Sequence, residues 1–276
     1  MFRFAVLVLM ALAAVAAVGR TVETLVVDEN RSPLPFPTVK VKGKRIAALG
    51  DSVGRVQLAS ERLVADDTLR VSYVGYEPVE ILAGTVDSVI ELRPSAIALE
   101  QVTVRPHKYK IRRKGKKHSG GMMKCLFDGD MAGESFGYEF HAKNDRRLLL
   151  DRVGFFYCAG DSQMMNMKFR LNVYDMSEVK KAPTNRFKNV LMAPIYFDFA
   201  IAEPGDGKFT YTLPEPILLP KDAMVEIEFL ENFSGRVLWF KSNLIGKNTW
   251  YRDMRDGQWW DLNPFAAPFF VECAEF

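Results

Sequence analysis

The sequence predicts an all-β protein built as two sandwiches in tandem, and three observations carry the prediction. Short runs alternate apolar and polar residues with period two, as in Thr38-Val39-Lys40-Val41-Lys42 and Leu69-Arg70-Val71-Ser72-Tyr73, the pattern of strands that bury one face. Gly, Pro, Asp and Asn punctuate these runs roughly every ten residues, as turns between strands require. Downstream of residue 20 no stretch of the sequence is long and apolar enough to cross a bilayer as a helix.

Taken in order, the chain starts with Met1-Phe2-Arg3 and an apolar run from Phe4 to Val18. That length suits the hydrophobic region of a secretion signal and is short for a membrane span. Ala14-Val15-Ala16 and Ala17-Val18-Gly19 both satisfy the small-x-small cleavage rule, so a mature chain would begin near Ala17 or Arg20. Residues 1–19 are therefore read as a signal peptide, with a retained anchor helix as the alternative. Seven strands follow, at residues 21–28, 37–43, 55–59, 68–74, 78–82, 88–92 and 99–105. No connection between them has room for a crossover helix, which predicts antiparallel pairing and a seven-stranded Greek-key sandwich over residues 20–105.

The same residues carry a resemblance. Val26-Val27-Asp28, Ser32-Pro33-Leu34-Pro35-Phe36, Val39-Lys40-Val41-Lys42-Gly43, Asp51-Ser52-Val53-Gly54-Arg55-Val56, the run from Asp67 to Tyr76 that ends Ser-Tyr-Val-Gly-Tyr, and Leu99-Glu100-Gln101-Val102-Thr103-Val104 together resemble the carboxypeptidase-regulatory-like domain. That domain is a transthyretin-like β-sandwich found on envelope proteins of Bacteroidota. Thr24 and Arg31 stand where the family commonly has glycine. The resemblance implies a free-standing module of the cell envelope, periplasmic or associated with the outer membrane, with no catalytic residues to carry over.

Residues 106–133 read as a basic and Gly-rich linker. The run from Arg105 to His118 holds eight Lys or Arg and no carboxylate, and the rest of the chain has 29 basic against 34 acidic residues. Lys108, Lys110, Arg112, Arg113, Lys114, Lys116 and Lys117 are candidate anion-binding residues, for phosphates, acidic polysaccharide or peripheral contact with an anionic membrane surface. A solvated connector has the same composition. Export and the lack of a groove-reading motif argue against nucleic acid.

A second set of strands fills residues 134–276, at 136–141, 148–158, 167–174, 194–199, 208–213, 224–229, 236–240 and 269–273. Eight strands in this length predict a jelly-roll-like sandwich. Through Tyr174, Pro183, Val190-Leu191 and Leu218-Leu219-Pro220 this half is similar to the sandwich domains that follow the regulatory-like module in Bacteroidota chains.

Little in the sequence points to catalysis. Gly50-Asp51-Ser52-Val53-Gly54 matches the Gly-x-Ser-x-Gly elbow, but an elbow needs a helix after it and a histidine beside it. A strand follows instead, and His141 is the histidine outside the basic run. Asp51 and Gly54 fit a hairpin turn better, with Asp51 bonding its own backbone. Asp128-Gly129-Asp130 with Gly133 and Glu139 has the spacing of a calcium loop, but Ala132 removes one ligand and residues 138–140 read as strand. No His or Cys cluster has zinc spacing, so no metal or cofactor is expected. Cys125, Cys158 and Cys273 leave at least one thiol unpaired. Cys158 and Cys273 would bridge only if their strands placed them side by side, and buried free thiols are the other reading. Trp250, Tyr251, Trp259 and Trp260 flank a turn near Asp256-Gly257, so one member of each pair should face outward as a glycan platform, or all fill the core. The sequence thus predicts an exported, non-enzymatic binding or structural module whose partner is an envelope protein or a glycan.

Overall fold

The computed structural model describes residues 20–95, 110–118, 120, 123–142, 146–159, 165–179, 181–184, 187–233, 237–243, 245–255 and 257–275. The signal-peptide segment, the strand expected at 99–105 and Lys108 lie outside these residues. The described chain is all β, in four sheets around two hydrophobic cores. None of its helices is long and apolar enough to cross a membrane.

The first core lies between a three-stranded and a four-stranded sheet. Strands β1 (Arg20–Val27), β4 (Arg55–Ser60) and β7 (Val89–Glu91) form one, in the order β4-β1-β7. Strands β2 (Thr38–Val41), β3 (Ala47–Leu49), β5 (Thr68–Ser72) and β6 (Val79–Leu82) form the other, in the order β3-β2-β5-β6. Period two works as expected: Val39, Val41, Leu69 and Val71 turn inward with Val26, Val56 and Leu58, and in β4 the neighbours Arg55, Gln57 and Ala59 are exposed. Two expectations are corrected. The short strand β3 adds to the expected set, its three residues being too few to show alternation in the sequence. Strand β7 runs parallel to β1, with Leu25 opposite Val89. Connection length limits only strands joined directly, and β1 and β7 are separated by five other strands.

The second core is sealed by two larger sheets. One runs β13 (Lys188–Asn189), β12 (Met165–Asp175), β16 (Asp222–Phe229), β10 (Ser135–His141), β18 (Thr249–Arg252) and β19 (Trp259–Asp261), with β14 (Ile195–Ile201) also on β12. The other runs β8 (Lys110–Gly115), β20 (Phe269–Glu275), β11 (Leu148–Ala159), β17 (Val237–Ser242) and β9 (Met123–Asp128), with β15 (Gly205–Leu218) on the far edge of β11. Between them Phe155, Phe169, Phe199, Phe229 and Phe240 pack ring to ring, Phe155 and Phe240 stacked at 4.1 Å.

The linker expected at 106–133 is corrected where it is described. Lys110–Gly115 adds to the sheet edge as β8, antiparallel to β20, and Met123–Asp128 pairs with β17. The polar edge of β20, with Glu272 and Glu275, holds the basic strand by charge. The cysteines are free. Strands β11 and β20 are neighbours, but Cys273 lies across from Leu150 and Cys158 across from Trp239, so their register keeps the two thiols apart. Burial among apolar neighbours pushes the Cys273 thiol up to about 12.

Candidate ligand-binding cleft

Alternation in two facing sheets creates the main candidate site, a cleft of about 1150 Å³ between the sandwiches. One wall is the outer face of the four-stranded sheet. With Val39 and Val41 inside, Thr38 and Lys40 point out. Cross-strand register sets Lys40 opposite Arg70 and Thr38 opposite Ser72. Beyond them Glu80 of β6 pairs with Lys42 at 2.8 Å and Arg70 at 3.3 Å.

The opposite wall is the outer face of β12 and β16, where Arg170 stands across from Glu228 and Asn172 across from Glu226. These side chains are buried. Arg170 Nε donates to Glu228 Oε2 at 2.8 Å, and Asn172 Nδ2 donates to Glu226 Oε2 at 2.8 Å and Glu228 Oε2 at 3.1 Å. Arg252 reaches in from β18, 2.8 Å from Glu226 and 3.2 Å from Glu228, with its guanidinium over the Trp259 ring. Burial pushes the Glu228 carboxyl up, but attraction to Arg170 and Arg252 outweighs it and leaves the group below its ordinary value. Burial raises the Tyr174 hydroxyl well above its usual range, so it stays protonated beside Glu226.

Contacts between the sandwiches hold the walls in place. Arg170 Nη1 donates to the Phe36 carbonyl at 3.0 Å, and the Tyr196 hydroxyl donates to the Pro35 carbonyl at 2.9 Å. Arg45 pairs with Asp253 at 2.9 Å. The turn after β5 does more than reverse the chain. Tyr73 places its hydroxyl 3.3 Å from that of Tyr196, and Val74 packs against the second core. Gly75, at φ +82°, sits so close that a Cβ there would lie 1.9 Å from the Met192 carbonyl oxygen. The Ser-Tyr-Val-Gly-Tyr run is thus a docking element, a role that only the other half of the chain reveals.

The aromatic platform is corrected. Trp250 and Trp259 are buried with Met176 and Met224 on the outer face of their sheet. Trp250 donates its indole N–H to Glu139 at 2.9 Å. Tyr251 and Trp260 do sit across from each other. Tyr251 is half-buried, its hydroxyl donating to Glu134, and Trp260 is 42% exposed. Two of the four rings are therefore core, drawn in because their faces meet the methionine cluster.

The basic run is not an open anion-binding stretch. Arg112 pairs with Glu275 at 2.6 Å, and Arg113 pairs with Glu272 and lies 4.4 Å over the Phe270 ring. Lys116 is buried, its ammonium bonded to Asn243 Oδ1 and to the carbonyls of Gly120 and Ser242. Lys114 is half-buried and Lys117 exposed, so the five candidates whose side chains are described do not act as one surface.

The elbow residues are not brought together. Asp51 Oδ1 accepts from the amides of Val53 and Arg55, both at 2.9 Å, and Gly54 takes φ +79°, the hairpin turn that the residues predict. His141 lies between Asp222 at 3.0 Å and Glu139 at 3.1 Å in the second sandwich. Glu139 is a strand residue of β10 and not a loop ligand. Among the described residues no group of three or more His, Cys, Asp or Glu converges as a metal site.

The buried wall escaped sequence reasoning, although its signal is present. Arg170 and Asn172 alternate with apolar residues in one strand, and Glu226 and Glu228 do so in another. Such alternation ordinarily marks a solvent face, and complementary charges on two strands are the hint that the faces meet something.

No family model matches the chain, and no curated protein matches it. Among solved structures, the cysteine protease and lectin-like domains of Cwp84, a surface layer associated protein of Clostridium difficile, are similar over 55% of this chain and 36% of that one. The identity is 10% and the TM-score 0.34, and the chain spans little more than a third of that protein's length.

Proposed function

We propose that this chain is an exported, non-enzymatic binding module of the cell envelope that holds its ligand in the cleft between the two sandwiches. The cleft itself carries the proposal. Its walls are fixed by contacts made from both halves, so the site is formed before a ligand arrives, as binding sites at domain junctions commonly are. The leader-like first residues and the resemblance to envelope β-modules support the location. Ser52 belongs to a turn and His141 to an acidic pair in the second sandwich, which supports a binding role. The C-terminal glycan platform is the weaker reading, because Trp250 and Trp259 are committed to packing.

A photo-crosslinking side chain placed at Ser72, in the cleft, tests this in intact cells that make the full chain. The same group at Thr212, exposed on the remote strand β15, is the control. Discrete adducts at Ser72 and none at Thr212 are expected. Equal labelling at both positions, or silence at Ser72, would remove the cleft as the binding site.

A further inference from the structure

We propose that the ligand of the cleft is an acidic sugar chain, held through its carboxylate or sulfate groups by the cations of the four-stranded sheet. This rests on the cleft being the binding site, and it follows from how charge is distributed on the two walls. Arg170 and Arg252 are matched by Glu226 and Glu228 within their own wall, and Lys44 and Arg45 by Asp67 and Asp253. What remains is uneven. Lys42 and Arg70, both about half exposed at 54% and 51%, share the single carboxylate of Glu80. Lys188 lines the same cleft from β13 on the other side and has no carboxylate in ion-pair range among the described residues. Cross-strand register also sets Lys40 opposite Arg70. An anion lying across Lys42, Arg70 and Lys188 would relieve that excess, and a recessed site strengthens the attraction by focusing the field.

The neutral part of the lining selects among anions. Thr38, Ser72, Asn189 and Gln258 place hydroxyls and amides around the cations, and the Tyr76 ring lies beside them. These groups suit a ligand rich in hydroxyls. An extended acidic peptide would be recognised through a free strand edge or apolar side-chain pockets. The strands nearest these cations, β2 and β5, offer no edge, since β3 and β6 flank them. A lipid surface would need a flat basic face, whereas these half-exposed cations line a cleft. Its volume, about 1150 Å³, has room for several linked rings.

Calorimetric titration of the purified chain in chelator-containing buffer provides the test. The probes are hexagalacturonate, a κ-carrageenan hexasaccharide that carries sulfate and no carboxylate, the methyl ester of hexagalacturonate and hexaglutamate. At least one acidic sugar should bind, more weakly as sodium chloride is raised, and the two acidic probes distinguish carboxylate from sulfate. The methyl ester should bind about tenfold more weakly or worse, and Lys42→Ala and Arg70→Ala should each cost about tenfold. Glu80→Gln, which removes the competing carboxylate, should tighten binding. All three substitutions are at exposed positions, and unchanged thermal midpoints verify folding.

Equal binding of the ester, or hexaglutamate matching the sugars, would overturn the proposal, the latter by assigning the cleft to acidic protein. Silence of both acidic sugars at low salt would also overturn it. If Ser72 adducts persist in that case, only the ligand class fails and the cleft stands. If Ser72 is silent while acidic sugars bind regardless of Lys42 and Arg70, the cleft itself is wrong.

Discussion

The two walls of the cleft use the same residue types for opposite ends. On β12 and β16 the charged side chains are sealed from water, Arg170 at 6% and Glu228 at 1% exposure, and every charge has an opposite within its own wall. On β2, β5 and β6 the charged side chains stay about half in water, and two cations share one carboxylate. Buried charges must be matched, because an unpaired ion in a low-dielectric setting costs several kcal/mol. Exposed ones need no match, and their pairs add little to folding. The buried wall is therefore framework and the exposed wall is contact surface. Residue type alone does not separate them; the local dielectric does.

Breaking the framework should have the largest effect. Arg170→Met leaves Glu228 buried with only Arg252 to balance it and removes the bond to the Phe36 carbonyl. Urea unfolding should show a loss of about 3–5 kcal/mol. Replacing both partners by Met should recover part of that loss, since a neutral pair leaves no stranded charge. A single variant as stable as the parent would mean that the wall is open to water and that the contrast between the walls is false.

The docking turn between the halves comes next. Gly75→Ala puts a side chain into a left-handed conformation and into the Met192 carbonyl. A loss of about 2 kcal/mol is expected, together with faster hydrogen exchange at the contacts around Tyr196. Gly43→Ala is the control. It has a similar positive φ of +72° but open space around its Cβ, so it should show the backbone penalty without the change at Tyr196.

Acid separates the walls more gently. Glu228 is raised by burial and lowered further by Arg170 and Arg252, so its folded value lies below the ordinary 4.5. The unfolded chain then binds the proton more readily. The stabilisation from Glu228 is complete above about 4.5 and is lost as pH falls through the folded value, at up to about 1.4 kcal/mol per pH unit. Urea midpoints followed from about pH 7 to about pH 3 should show this decline, and Glu228→Gln should flatten it. An identical slope in the variant would place the acid sensitivity elsewhere.

Much of this fold is legible in the sequence because its information is local. The alternation around Val39, Leu69, Phe169 and Ile227 fixes which side of each strand faces a core, and the Asp51 and Gly54 turn follows from side-chain and backbone chemistry within a few residues. What the sequence conceals is relational. Lys110–Gly115 looks like a linker until Glu272 and Glu275 of the last strand lie beside it. Trp259 looks like a platform until Met176 and Met224 meet its ring. Gly75 looks like an ordinary turn glycine until Met192, more than a hundred residues on, occupies its free side. The cleft belongs to the same class, since its walls come from two halves whose mutual orientation no short-range pattern encodes.

The smallest expected effect on folding is the one that tests the contact surface most directly. Glu80→Gln abolishes both exposed ion pairs of the cationic wall, with Lys42 and with Arg70. If the pairs were framework, their loss would move the unfolding midpoint as breaking the buried pair does. Because both partners and the carboxylate lie in water, solvent already screens them and hydrates each ion when it is released. The urea midpoint at neutral pH should therefore stay where it was, while retention on a sulfonate cation exchanger should increase as two cations become available. A shifted midpoint with unchanged retention would reverse the assignment of the two walls. The cations would then be structural, and the surface that meets the ligand would have to be sought among the neutral groups between them.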